Sequence, residues 1–176
     1  MALMTFLAQK QSTIVNRWFD LVMETYPLET ARLFKKETNR FANPVGSTTL
    51  EGLKEVFAVL LKGFDAQQLT PALDKIIRIR AIQDFTPAVA LRFGVDLKSI
   101  VREELAEPIA AGQVTADELH QLDQTADQLL LLAFNIYMQC REELYELRVR
   151  EVRNQSARLL QRANILWTAP EQQDNS

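Results

Sequence analysis

From Thr115 to Trp167 the chain contains neither proline nor glycine, and the whole stretch reads as one long helix. Thr115-Ala116-Asp117-Glu118 forms a capping box, with the Thr hydroxyl and the Glu carboxylate placed to satisfy first-turn amides that have no acceptor in the helix. Val114 and Leu119 stand where a hydrophobic staple would bring them together. Apolar or small residues then recur at Leu119, Leu122, Ala126, Leu129, Ala133, Ile136 and Cys140, in steps of three and four that keep one stripe on one face. A helix of about fifty residues is roughly 75 Å long at ~1.5 Å per residue, more than twice the width of a small domain. Such an element has to overhang its domain, pair with something, or break.

The preceding part of the chain alternates apolar helical stripes with turn signals. Leu7, Ile14, Val15, Trp18, Val22 and Tyr26 predict a helix from Thr5 to Tyr26, stopped by Pro27, and Leu28 to Lys36 makes a short second one. Asn43-Pro44 and Gly46 mark a structured loop, with Phe41 and Val45 as the apolar points that fold it back. Thr48 and Glu51 read as a capping box opening a helix with Leu50, Leu53, Phe57, Leu60, Leu61 and Phe64 on its core side. Thr70-Pro71 and Thr86-Pro87 each read as an N-cap followed by proline at the first helical position, giving helices over 71–83 and 87–106. In the latter, Val89, Phe93, Leu97, Ile100, Val101 and Leu105 make the buried face, Gly94 needs a close neighbour to justify it, and Pro108 ends the helix. No stretch alternates with period two. The chain reads as all-α, a bundle of roughly six helices, with a globin-like arrangement as one option, and a very long C-terminal helix.

Composition narrows the chemistry. At 176 residues and 47% hydrophobic content the chain can bury one ordinary core, and its net charge of −3 argues against a surface built for nucleic acid. A single cysteine excludes an intramolecular disulfide, the first residues lack the pattern of a signal peptide, and Leu129 to Phe134 is too short to span a bilayer. The expectation is a cytoplasmic protein. One histidine and one cysteine cannot furnish a structural zinc site, and no phosphate loop, nucleophile elbow or H-E-x-x-H motif occurs. No enzyme, metal or cofactor is expected. His120, among Glu118, Gln121 and Asp123, lacks the apolar surroundings of a haem ligand, and Cys140 lies on the apolar stripe as a buried thiol.

Arg80 is the polar residue out of place. It shares a face with Leu73, Ile76 and Ile77 and is followed by Gln83 and Asp84 just before the Thr86-Pro87 cap. The plain reading is an internal ion pair or carbonyl clamp; the functional one is a small-ligand site in which Arg80, Gln83 and Asp84 hold an anion. A haem-type receptor anchored at His120 belongs to the same alternative class.

Two strings, Arg40-Phe41-Ala42-Asn43-Pro44-Val45-Gly46 and Arg78-Ile79-Arg80-Ala81-Ile82-Gln83-Asp84-Phe85-Thr86-Pro87, resemble the signature segments of the RsbRD-type N-terminal domain family. Trp18 ahead of Tyr26-Pro27, and Arg102-Glu103-Glu104-Leu105, extend the resemblance over about residues 5 to 150. These are input domains of RsbT co-antagonist proteins of bacterial stress-signalling complexes. The resemblance implies a non-enzymatic regulatory or sensory domain that acts on a separately encoded signalling partner. The stretch after the long helix is too short for an effector domain, so the phosphoswitch of full-length relatives does not carry over.

The last helix changes character after about Leu147. Tyr145, Val149, Val152, Ser156, Leu159, Ala163 and Leu166 repeat at four and three, a narrow seam flanked by arginines and glutamines. Val149, Val152, Leu159, Ala163 and Leu166 are the expected interface, with a second copy in a homodimer ahead of a different partner, the competing outcome being a break at Asn154-Gln155-Ser156. The interleaved Arg148, Arg150, Arg153, Arg158 and Arg162 read as a solvated face, not a nucleic-acid site. The expected layout is a helical regulatory domain over 1–147, a coiled-coil-like extension over 148–167 and a disordered tail over 168–176.

Overall fold

A computed structural model describes residues 2–37 and 39–162. Among them there is no strand, and eight helices follow one another: α1 (Ala2–Gln9), α2 (Gln11–Met23), α3 (Leu28–Lys36), α4 (Pro44–Leu60), α5 (Ala66–Ile82), α6 (Pro87–Glu104), α7 (Ala106–Ala110) and α8 (Ala116–Arg162). The class is all-α as expected, with two more helices than the pattern suggested. The first predicted helix divides at Lys10, whose ammonium is drawn to the carbonyl of Glu104, 2.6 Å away at the end of α6. The amide ladder nevertheless runs through the division, from Lys10 N–H to Phe6 O and from Ile14 N–H to Lys10 O. Pro108 does not terminate a helix. It lies in the first turn of α7, where a missing N–H costs nothing.

Two predicted starts are corrected. Asn43, not Thr48, caps α4, with its side-chain oxygen accepting from Gly46 N–H at 2.8 Å and its amide donating to the carbonyls of Phe34 and Glu37. A Cβ at Gly46 would collide with that cap, so the glycine belongs to it. Thr48 and Glu51 lie inside α4. Likewise α5 begins at Ala66, capped by the Asp65 carboxylate on Gln67 and Gln68 N–H, and Pro71 sits within the helix. The proline leaves the Gln67 carbonyl without its amide donor, but Gln67 and Pro71 are on the exposed face, open to solvent. At α6 the Thr86-Pro87 start is present, though without a bond from the Thr hydroxyl. The Thr115 box forms as read: Glu118 N–H donates to Thr115 Oγ1, and Thr115 N–H donates to the Glu118 carboxylate.

The chain divides between Arg141 and Glu142 into two units. In the first, α4 packs on α5, and α2 on both α4 and α6. Trp18, Leu53, Leu73, Ile76, Leu97 and Ile100 are among its fully buried side chains, and Leu122, Ala126, Leu129, Ala133, Ile136 and Cys140 form the buried stripe of α8. Gly94 lets α8 come close, since a Cβ there would stand 3.2 Å from Leu130 Cδ1. Three apolar expectations fail: Phe41, Phe64 and Val89 are exposed, Phe41 almost completely. The stretch from Leu129 to Cys140 is also less enclosed than its sequence suggests, because Leu131, Phe134 and Met138 face water. The second unit, described from Glu142 to Arg162, is helical throughout, with no break at Asn154. Of its residues only Leu144 is half-buried and the rest are exposed.

Ion pairs fasten the helix ends of the first unit. Arg17 holds Glu104 at 2.6 Å and also pairs with Glu103, and Arg102 holds Asp123 at 2.6 Å. The Arg17 guanidinium keeps the Glu104 carboxyl below its ordinary range, and Arg102 does the same for Asp123. Both carboxylates bind protons less readily folded than unfolded, so their stabilising contribution is complete above the unfolded value of about 4 and is lost as pH falls through the folded one. The urea midpoint is expected to fall on acidification below about pH 4, and less steeply in Arg17→Ala, as circular dichroism would show.

Candidate functional site

Helix α5 carries its apolar stripe from Leu69 through Ala72, Leu73, Ile76 and Ile77, and the next position on that face is Arg80. The side chain is only 2% exposed. Its Nε donates to the Ala90 carbonyl at 3.0 Å, and Nη2 donates to the Val89 carbonyl and to Thr25 Oγ1, both at 2.9 Å. The remaining nitrogen, Nη1, is buried with no hydrogen-bond partner. None of these bonds goes to a carboxylate. Instead the guanidinium carbon lies 4.5 Å from the ring centre of Phe85 and 5.7 Å from that of Tyr26, so π-faces supply part of the negative potential that an acid would give. The carbonyls belong to the first turn of α6, the positive end of that helix, which does not favour a cation. Burial pushes the Arg80 guanidinium down from its ordinary value, against a raising influence from Tyr26, and burial pushes the Tyr26 phenol up, against the pull of Arg80.

The aromatic wall is ordered by its own contacts. Tyr26 meets Phe34 and Phe85 edge to face at 5.1 and 5.0 Å, and its hydroxyl donates to Gln83 Oε1 at 2.7 Å. The carbonyl of Phe85 accepts from the Tyr137 hydroxyl of α8 at 2.5 Å. Asp84 adopts φ +58, a left-handed conformation that Asp tolerates better than most residues, and thereby turns the chain from α5 into α6. Its carboxylate accepts from Arg141 Nη1 at 2.7 Å, and the same nitrogen donates to the Ala81 carbonyl.

Of the three residues expected to act together, Arg80 and Gln83 are joined through Tyr26, whereas Asp84 is turned to Arg141. Sequence reasoning missed Thr25, Tyr26, Phe85 and Arg141 as members of this cluster. The available signal was Phe85, five residues after a core-facing arginine and next to a helix cap. His120 is exposed, with a ring nitrogen 3.1 Å from the Gln124 amide. Among the described residues no group of three or more His, Cys, Asp or Glu could hold a metal ion.

Two apolar surfaces lie elsewhere. Pro87, Leu91, Val95, Leu131 and Phe134 line a groove of about 450 Å³ between α6 and α8. In the second unit Val149, Val152 and Leu159 of the expected interface are 49%, 61% and 64% exposed, with Tyr145 and Leu160 also in water. Ala163 and Leu166, and the expected tail over 168–176, lie outside the described residues.

Comparison with known proteins gives one family. The family model described as RsbT co-antagonist protein rsbRD N-terminal domain matches residues 12–152. The chain is also similar to an uncharacterized protein of Archaeoglobus fulgidus, 25% identical over 141 residues that span 78% of this chain and 82% of that protein. No solved structure matches.

Proposed function

Because the chain belongs to the RsbT co-antagonist protein rsbRD N-terminal domain family, and so to a class of regulatory signalling domains, we propose that it acts without catalysis, through association by its last helix. The supporting observation is the seam of the second unit. Tyr145, Val149, Val152 and Leu159 repeat along one line of α8 and are all exposed, an apolar surface aligned for a partner helix. The expected layout stands with this proposal: a regulatory domain over 1–147 and a coiled-coil-like extension over 148–167, which pairs with its copy in a homodimer that acts on a separately encoded signalling protein. Nucleic acid is not the proposed partner, because the arginines of this segment interleave with Glu143, Glu146 and Glu151, and Arg150 lies 3.7 Å from Glu146. Cytoplasmic placement is part of the same proposal. Among the described residues no helix is long and apolar enough to cross a membrane.

Light scattering on two chains tests it. The intact protein is expected to be a dimer at micromolar concentration, and a chain ending at Leu147, which keeps all the residues that are buried among those described, is expected to be a folded monomer. An intact protein that stays monomeric ends the pairing hypothesis.

The unpartnered Nη1 of Arg80 favours a second reading, an anion receptor at the α5–α6 junction. Its signature would be a thermal shift with sulfate or phosphate in the wild type that Arg80→Met abolishes.

A further inference from the structure

The groove between α6 and α8 takes no part in the pairing proposed above, and its lining points to an occupant of its own. From Pro87 to Val95 it runs for about 12 Å along α6, at ~1.5 Å per residue. Leu91, almost fully buried, and Leu130, half-buried, are the deepest of its large apolar residues. Val95, Leu131 and Phe134 are exposed beside them. Among the described residues one charged side chain lines the groove, that of Arg92, and it is 66% exposed. Its Nε donates to Asp96 Oδ1, one turn further along α6, at 3.3 Å. Its two terminal nitrogens have no partner among the described residues.

Size decides between a macromolecule and a small molecule. A stable protein–protein interface draws on roughly 20–30 residues a side, several times what lines this groove. Its volume of about 450 Å³ instead falls within the ~300–1,000 Å³ of small-ligand sites. Charge then decides the chemistry. The length and the apolar lining suit an extended hydrocarbon chain, and the guanidinium suits a carboxylate, whose two oxygens can accept in parallel from the two unpartnered nitrogens while Asp96 keeps Nε.

We propose that this groove binds a small amphipathic carboxylic acid, with an apolar chain of medium length against Leu91, Leu130, Leu131 and Phe134 and its carboxylate on Arg92.

Isothermal titration calorimetry of the whole chain with octanoate, hexanoate and octan-1-ol tests it, at concentrations below those at which the acids form micelles. Octanoate is expected to occupy one site per chain and to bind about tenfold more tightly than hexanoate, because two further methylenes leave water. Arg92→Gln is expected to weaken octanoate about fivefold, a modest factor set by the exposure of the charge, and to leave octan-1-ol unchanged. Leu131→Glu removes an apolar wall and sets an acid in its place, and is expected to abolish octanoate binding. Both positions are exposed, so circular dichroism should show wild-type helicity in each variant. Equal affinities for the two acids overturn the proposal, as does an Arg92→Gln protein that binds octanoate like wild type. Binding that survives Leu131→Glu overturns it by placing the site elsewhere. A wild-type protein with no saturable heat at millimolar octanoate overturns it too, and leaves the groove to a partner helix. None of these outcomes depends on whether α8 pairs.

Discussion

Arg80→Ala is expected to lose about 3 kcal/mol of stability, while Arg80→Met stays within about 1 kcal/mol of wild type. The difference rests on what surrounds the guanidinium. Alanine empties the space between Tyr26, Phe85 and the start of α6, and the walls relax only in part. Methionine fills most of that space and buries no charge. Had an internal carboxylate been the partner, either change would have stranded it; the partners are instead Val89 and Ala90 carbonyls, which remain in the α6 ladder, and Thr25 Oγ1, which also donates to Val22 O. Against the lost bonds and ring contacts stands the desolvation of a cation with one nitrogen unsatisfied, a penalty of several kcal/mol that methionine removes. Urea denaturation of the three proteins checks this. A methionine variant as unstable as the alanine one would mean that the charge contributes net stability.

Trp18→Ala should cost about 4 kcal/mol, at the upper end for a single core truncation, and about a third or more of the stability of an ordinary domain. Trp18 is fully buried where α2 meets α6, its ring 6.0 Å from that of Phe93 and its indole N–H donating to the Phe93 carbonyl at 2.7 Å. Truncation therefore opens a cavity between two helices and removes the bond that sets their contact. Trp18→Phe keeps most of the volume, and the Phe93 carbonyl retains its place in the α6 ladder, so roughly 1–2 kcal/mol is expected. Equal midpoints for Trp18→Ala and wild type in a denaturant titration would refute the packing argument.

Local signals were legible wherever the group that completes them is close in sequence. The Thr115–Glu118 box, the bounds of α3 and the burial of Arg80 all follow from spacing alone. Legibility ended where a distant group decided the outcome. Asn43 caps α4, where the carbonyls of Phe34 and Glu37 take up its amide, and the division of the first helix falls at Lys10, whose ammonium reaches the Glu104 carbonyl at the end of α6. Pro71 is tolerated inside α5 because the carbonyl it strands faces water, a matter of orientation that a Thr-Pro pair does not encode. The candidate site divided in the same way: the arginine could be read from its face, but its rings and its hydroxyl came from the turn after α2 and from the turn after α5. Asp84 was placed beside Arg80 by proximity in sequence, and its left-handed backbone turns it toward Arg141.

The seven-residue spacing of Tyr145, Val152 and Leu159 has a mechanical consequence. A straight helix of 3.6 residues per turn drifts by about 20° for each such repeat, so from Tyr145 to Leu159 the line of apolar side chains rotates by about 40° around the axis. Keeping that line against a partner, as the proposed pairing would, requires left-handed coiling of residues 142–162, so that pairing would change the twist of this segment. The proposed pairing would thereby convert association into torsion.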